Sequence, residues 1–333
     1  MKSNDRFDAV DADQASKTAG NQTPAPPRGP RARIGLALGG GVARGWAHIG
    51  AIRALIREGY EPDVVCGTSV GALVGGCYLA GKLDALEDWA RSLTKRRMLG
   101  YFDLMLGGSG IIGGRRLEKV MKLHLDALAI EDLPKPFVAV TAELSTGHEI
   151  WLQEGDLVTA IQASYALPGV FPPRKVLGRW LVDGALVNPL PTSACRALGA
   201  RLVIAVGLHA DAFGKASVRR REKFDDIEFT EGESLKAELA RNPAERLMLR
   251  QLFGQTSRKP GLGTVMLASL NIVMDRLTRS RLAGDPPDVF VAPRVAHFSL
   301  LDFDQADAMI KLGEEAVERE LPVIEEAMEI LGY

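Results

Sequence analysis

Three short patterns hold residue types able to do chemistry together. The first is Gly67-Thr68-Ser69-Val70-Gly71, set between the apolar run DVVCGTS and the small-residue stretch VGALVGGCYLAG. G-x-S-x-G at a strand-to-helix junction is a nucleophile elbow. The turn is sharp, so Gly67 and Gly71 must be tiny, and the strain lifts the Ser69 oxygen clear of the sheet. A helix starting there places the positive end of its dipole beneath a developing anion. Matches of this length also arise by chance, and the bland alternative is a small-residue turn packing strand on helix. The strand–turn–helix setting favours the elbow.

The second pattern is Gly39-Gly40-Gly41-Val42-Ala43-Arg44-Gly45, which follows the apolar run IGLAL. Three glycines let backbone N–H groups point into one cavity with no side chain in the way. An oxyanion hole needs donors fixed where negative charge will appear. The expected donors are the amides of Gly40, Gly41 and Val42. A dinucleotide fingerprint would need glycine at 44, where Arg44 stands, and a P-loop would need G-K-[ST] where Gly45-Trp46-Ala47 stands. A tight glycine turn without function is the remaining alternative. Arg44 either holds the loop by pairing or binds an anionic head group.

The third is Trp180-Leu181-Val182-Asp183-Gly184-Ala185, a carboxylate beside a flexible glycine after an apolar strand. Asp183 is a turn former or the base that takes the Ser69 proton. Upstream, the proline-laden loop Ser164–Pro173 is placed to wall the same cavity.

These patterns need a frame that brings them to one place. Buried strands are expected at 34–38, 63–69, 137–144, 201–209 and 287–293, and helices between them. Such alternation implies a parallel or mostly parallel sheet covered on both faces. In the helix ARGWAHIGAIRALIREG, Ile49, Ile52, Leu55 and Ile56 share a face and Gly59 supplies a stop. A helix from Thr264 carries the stripe Met266, Leu270, Val273, Leu277, with Arg276, Arg279 and Arg281 near its end. It is either a lid or lipid-facing surface, or a helix packed on the sheet. Residues 304–331 form an acidic amphipathic helix that Pro322 is expected to kink or divide. Residues 1–32, rich in Asp, Ser, Gln and Pro, read as a disordered tail. Residues 211–260, with 11 Lys+Arg and 9 Asp+Glu, read as a charged surface insertion in a catalytic domain of 33–333.

The glycine loop, then G-T-S-V-G, then D-G-A, in that order, resembles the patatin-like phospholipase family. The correspondence runs from Arg33 to Leu208 and again over 261–330. The stretches ALGGGVARGWAHIGAIRAL and AGDPPDVFVAP resemble its bacterial branch. The resemblance implies a three-layer α/β/α fold and a Ser–Asp dyad, without histidine, acting on acyl esters of lipids. It places the nucleophile at Ser69, the base at Asp183 and the oxyanion loop at Gly39, Gly40 and Gly41. Many members carry a further glycine where this chain has Val42, whose Cβ restricts the loop.

The five histidines give a triad little room. His48 follows the glycine loop on a helix and reads as structural. His124 and His148 precede Asp183 in surface positions. Only His209 and His297 follow Asp183, the order an α/β-hydrolase requires. His209 ends a strand and stays a candidate; His297 reads as a loop residue.

Composition narrows the classes. The formal net charge is −1, from 41 Lys+Arg against 42 Asp+Glu, which argues against a nucleic-acid binder. Cys66, Cys77 and Cys195 are too few and too apolar in setting for a disulfide framework or zinc cluster, and read as buried thiols in a reducing compartment. No apolar run is long enough to span a membrane, and the N-terminus lacks a signal-peptide core. There is no H-E-x-x-H and no calcium loop, so no metal or other cofactor is expected. The expectation is a cytoplasmic carboxylic ester hydrolase of the phospholipase A, lysophospholipase or lipase type, meeting lipid substrates through peripheral contact with the inner membrane. Two rivals stand beside it: an α/β-hydrolase esterase with a Ser69–Asp183–His209 triad, and a non-catalytic lipid-binding regulatory protein on the same fold.

Overall fold

The computed structural model describes residues 33–94, 97–98, 113–125, 128–209 and 262–332. The expected tail, 1–32, and the expected charged insertion, 211–260, lie outside the described residues. The short apolar runs become β1 (Ile34–Leu38), β2 (Val64–Thr68), β3 (Phe137–Glu143), β7 (Leu202–Val206) and β8 (Val289–Val291), all parallel. The apolar strand expected before Asp183 is β6 (Arg179–Asp183), and with two strands that the sequence patterns did not single out, β4 (Glu149–Leu152) and β5 (Arg174–Val176), it adds antiparallel pairs. The order is β5-β6-β3-β2-β1-β7-β8, with β4 on β3. The chain goes one way from β1 through β2 to β3 and then returns to the other side of β1. A parallel sheet binds ligands at the carboxyl ends of its strands near such a reversal, and there lie the glycine loop and Ser69.

Side chains of the central strands alternate between two cores. Ile34, Leu36, Leu38, Ile204 and Val206 pack with α1 (Ala47–Arg57), α2 (Val70–Leu79) and the C-terminal helix α8 (Ala306–Ile330). Ala37, Cys66 and Ala205 face α6 (Thr192–Ala197) on the other side. That face holds small residues because the helix comes close: a Cβ at Gly35 would sit 2.8 Å from the Cβ of Cys195. The result is a mostly parallel sheet between helical layers, as the alternation predicts. The remaining helices are α3 (Leu83–Arg91), α4 (Arg115–Leu125), α5 (Leu157–Ser164) and α7 (Leu262–Gly284).

The expected helix after the glycine loop divides into a 3-10 turn, Val42–Trp46, and α1. Ile49, Ile52 and Leu55 are buried, each burial contributing about 1.5–3 kcal/mol, whereas Ile56 is exposed and lies off that face. Gly59 ends the helix at φ +85°. α1 packs along α8 through a reciprocal glycine contact. A Cβ at Gly50 would run into the carbonyl of Ile310, and one at Gly313 into the carbonyl of Ala47. α8 passes through Pro322 as one helix and is not divided there.

Candidate active site

Ser69 connects β2 to α2 at φ 57°, ψ −122°, a backbone conformation that side chains rarely adopt. Such strain persists only where the surroundings over-determine it. Here a Cβ at Gly67 would run into the backbone of Ala72, and one at Gly71 into the carbonyl of Leu38. The Ser69 amide donates to Ser164 Oγ at 2.9 Å, and that hydroxyl donates to the Val140 carbonyl at 2.7 Å. Gly45 lets the 3-10 turn lie directly on Val70.

The register of β3 brings Asp183 to Ser69. β2 pairs with β3 as far as Thr68 opposite Val140, and β6 takes over with Asp183 opposite Thr141. The two strands therefore meet nearly end to end along one edge of β3. Ser69 Oγ donates to Asp183 Oδ2 at 2.7 Å, and the Ala185 amide donates to Oδ1 at 2.8 Å. The Asp183 amide donates to the Ala166 carbonyl at 3.0 Å, so the Ser164–Pro173 loop does border the site. Gly184 must lack a Cβ because one would meet the Val140 carbonyl. Burial pushes the Asp183 carboxyl up to about 7, against the smaller opposing effects of the Ala185 amide and the Ser69 hydroxyl. A carboxylate poised near neutrality and bonded to a serine hydroxyl can take its proton.

The glycine loop departs from expectation in its donors. Gly39 N–H donates to the Val206 carbonyl at 3.1 Å, and Gly40 N–H to the Pro189 carbonyl at 3.0 Å. The Gly40 amide is thus engaged within the fold, as a buried donor must be, and is not free to hold an oxyanion. Among the described residues, the Gly41 and Val42 amides have no acceptor. A Cβ at Gly41 would press on the Leu208 side chain at 2.6 Å. Val42 sits at φ 53°, where a β-branched residue is strained. Arg44 resolves toward the pairing role: its Nε donates to the Phe298 carbonyl at 3.0 Å and its Nη2 to the carbonyls of Phe298 and Ala296, at 2.8 and 3.3 Å. His48 is buried and neutral. Its Nε2 donates to the Gly39 carbonyl at 2.7 Å, and burial pushes its imidazole down to about 4.

Several positioning roles are not given by the motifs. Ser164 holds the elbow as described. Thr68 Oγ1 donates to the Asn188 carbonyl at 2.8 Å, and Asn188 Nδ2 to Glu149 Oε1 at 2.7 Å. Arg281 donates to Glu149 Oε2 at 3.3 Å and to the Val187 carbonyl at 2.8 Å. Only the order of elements could have pointed to them, since every partner lies far away in the chain. α7 also differs from its expected stripe: Met266 and Val273 are exposed, while Met274 and Thr278 are buried. Its end packs Leu282 on the core face that holds Ala37 and Cys66, so its contact face is set by neighbours and not by its most apolar stripe.

His209 is buried after β7, but both Asp183 oxygens have other partners, Ser69 and Ala185. His124, His148 and His297 are exposed. The three cysteines are free and buried. Among the described residues, no group of three or more His, Cys, Asp or Glu is placed to hold a metal, and no helix is long and apolar enough to cross a membrane.

Comparison with known proteins bears on the family of this chain. The family model described as patatin-like phospholipase matches residues 36–196. An uncharacterized NTE family protein of Mycobacterium bovis is 33% identical over 320 residues, covering 84% of this chain and 89% of that protein. The neuropathy target esterase sws of Drosophila melanogaster is 33% identical over 180 residues, 52% of this chain and 13% of that one. The crystal structure of VipD from Legionella pneumophila aligns with a TM-score of 0.44 at 13% identity, covering 89% of this chain and 67% of that chain.

Proposed function

This chain belongs to the patatin-like phospholipase family, and from that premise we propose that it hydrolyses carboxylic esters of lipids with a Ser69–Asp183 dyad. The observation that carries the proposal is the 2.7 Å bond from Ser69 Oγ to a buried carboxylate with no histidine between them. Asp183 accepts the serine proton as Oγ attacks the ester carbonyl carbon. The carbonyl oxygen becomes an oxyanion beside the free amides of Gly41 and Val42. As the intermediate collapses, the C–O bond to the alcohol breaks and the alcohol leaves with the proton held on Asp183. Water then attacks the acyl-enzyme, gives its proton to Asp183, and the fatty acid departs as Ser69 regains it.

Phospholipid as substrate is supported by the description of the family, and ester hydrolysis by the name of the Drosophila melanogaster relative, an esterase. The triad alternative is disfavoured because Asp183 engages serine directly. The decisive experiment joins a fluorophosphonate probe with a substrate panel of short-chain esters, lysophospholipids and diacyl phospholipids. Probe labelling that requires Ser69, with fatty acid release from at least one lipid, supports the proposal. An unlabelled, inactive protein returns the chain to a non-catalytic, lipid-binding role.

A further inference from the structure

The β5–β6 hairpin leaves the body of the protein where β3 ends. Leu144, the first residue past β3, donates its amide to the Trp180 carbonyl at 2.8 Å. Beyond that bond the hairpin continues as its own two strands, with Val176 opposite Arg179. Its tip is Leu177-Gly178, at φ +48° and +82°. A two-residue turn with both central residues at positive φ favours Asn-Gly, and leucine is a poor fit to that backbone. Leu177 is nevertheless 94% exposed, so packing among the described residues does not compensate for it. Trp180, at the base, is 52% exposed, and Leu144 beside it is also exposed.

Charge on the hairpin has one sign. Arg174, Lys175 and Arg179 are its ionisable residues, and none between Pro173 and Trp180 is acidic. Arg174 pairs with Glu118. Lys175 and Arg179 are exposed, and the Lys175 ammonium lies 5.7 Å over the Trp180 ring. An apolar tip, with Arg179 next to it and Lys175 level with Trp180, suits a bilayer interface, where an amphipathic ring sits at the boundary and long cationic side chains reach back along their stems to the phosphates.

The hairpin also points the right way. Asp183 lies level with Ser69, and Leu177 is six residues earlier on a strand rising outward from the same sheet edge. At roughly 3.3 Å per residue, the tip stands on the order of 20 Å beyond Ser69. Interfacial segments bury about 5–10 Å into the membrane boundary. Ser69 would then lie on the order of 10 Å from the boundary, a short path for an ester drawn from the bilayer.

We propose that the hairpin Arg174–Trp180 is an interfacial anchor that seats the protein on a bilayer containing anionic phospholipid, with Leu177 inserted and Lys175 and Arg179 at the phosphates. The choice of a bilayer as occupant rests on the lipid hydrolase reading.

The test uses the full chain carrying Ser69→Ala, so that no lipid is consumed, and measures cosedimentation with vesicles. These are phosphatidylcholine alone or with added phosphatidylglycerol, at low and high salt. The Ser69→Ala protein should bind the anionic vesicles more tightly, and high salt should weaken that binding. Adding Leu177→Asn, which suits the turn, should weaken binding to both vesicles on the order of tenfold while the protein stays folded by circular dichroism. Adding Lys175→Gln with Arg179→Gln should remove the preference for anionic lipid. No vesicle binding, or equal binding after Leu177→Asn, overturns the proposal. So does a change in oligomeric state on Leu177→Asn, which would make the tip a contact between two copies. Short-chain ester hydrolysis by the protein with Ser69 intact reads the hydrolase proposal separately.

Discussion

Asp183 should make both activity and stability depend on pH, in opposite directions. Its carboxyl is buried and rises from an ordinary 3.8 to about 7, chiefly because burial disfavours the charged form. As the base, it works only when ionised. The kcat/KM for a soluble short-chain ester should therefore fall about tenfold per pH unit below about 7 and level off above it. Stability runs the other way. Because the folded value lies above the unfolded one, folding favours the protonated form. That stabilisation is complete below 3.8 and is lost as pH rises through about 7. Each pH unit between the two values carries about 1.36 kcal/mol, so ionised Asp183 costs the fold on the order of 4 kcal/mol at pH 8. Asp183→Asn keeps the shape without the charge. It should match the parent in stability near pH 4 and exceed it increasingly toward pH 8, while kcat drops on the order of a hundredfold or more. The assay pairs a pH–rate profile with urea unfolding of both proteins across the same range. A rate profile flat from pH 5 to 9, or an Asn variant no more stable at pH 8 than at pH 4 relative to the parent, would refute the reasoning.

Three further outcomes are expected. Ser69→Ala should abolish fluorophosphonate labelling and lower ester hydrolysis on the order of a thousandfold or more; activity within tenfold of the parent removes the nucleophile assignment. Val42→Gly should relieve strain of about 1–2 kcal/mol at φ 53°, offset in part by about 0.4–1 kcal/mol of added unfolded-state entropy. Thermal unfolding should thus show a neutral to slightly stabilising change with the Val42 amide retained, and a clear loss of stability speaks against a strained loop. Gly50→Ala places a Cβ against the Ile310 carbonyl, so α1 and α8 must separate at a cost of about 1–3 kcal/mol; an unchanged unfolding midpoint would show that this helix contact is not tight.

The three chemical motifs were legible in the sequence because each is a local backbone requirement. A sharp strand-to-helix turn demands Gly67 and Gly71 within two residues of Ser69, whatever the rest of the chain does. The buried parallel strands were legible for a similar reason: strands covered on both faces are continuous apolar runs, such as IGLAL and LVIAV. Strand β6 was legible from its apolar WLV before Asp183, but the antiparallel β4 and β5 were not singled out, since short, partly exposed stretches such as EIWL and RKV carry no continuous buried run.

What brings Asp183 to Ser69 is a register, Thr141 opposite Asp183, between segments separated by dozens of residues. The same holds for the donors of the glycine loop. Residue types predict three or four available amides. The partners that occupy two of them, the carbonyls of Val206 and Pro189, come from elements far along the chain. Arg44 shows the same division, because its identity is compatible with a head group or a staple. Only the approach of the 296–298 carbonyls makes it a staple. Local sterics determine which residues can form a turn, and they are written in neighbouring residues. Hydrogen-bond occupancy and the elevation of a carboxyl by burial depend on what the tertiary structure packs against them, and no spacing along the chain encodes that.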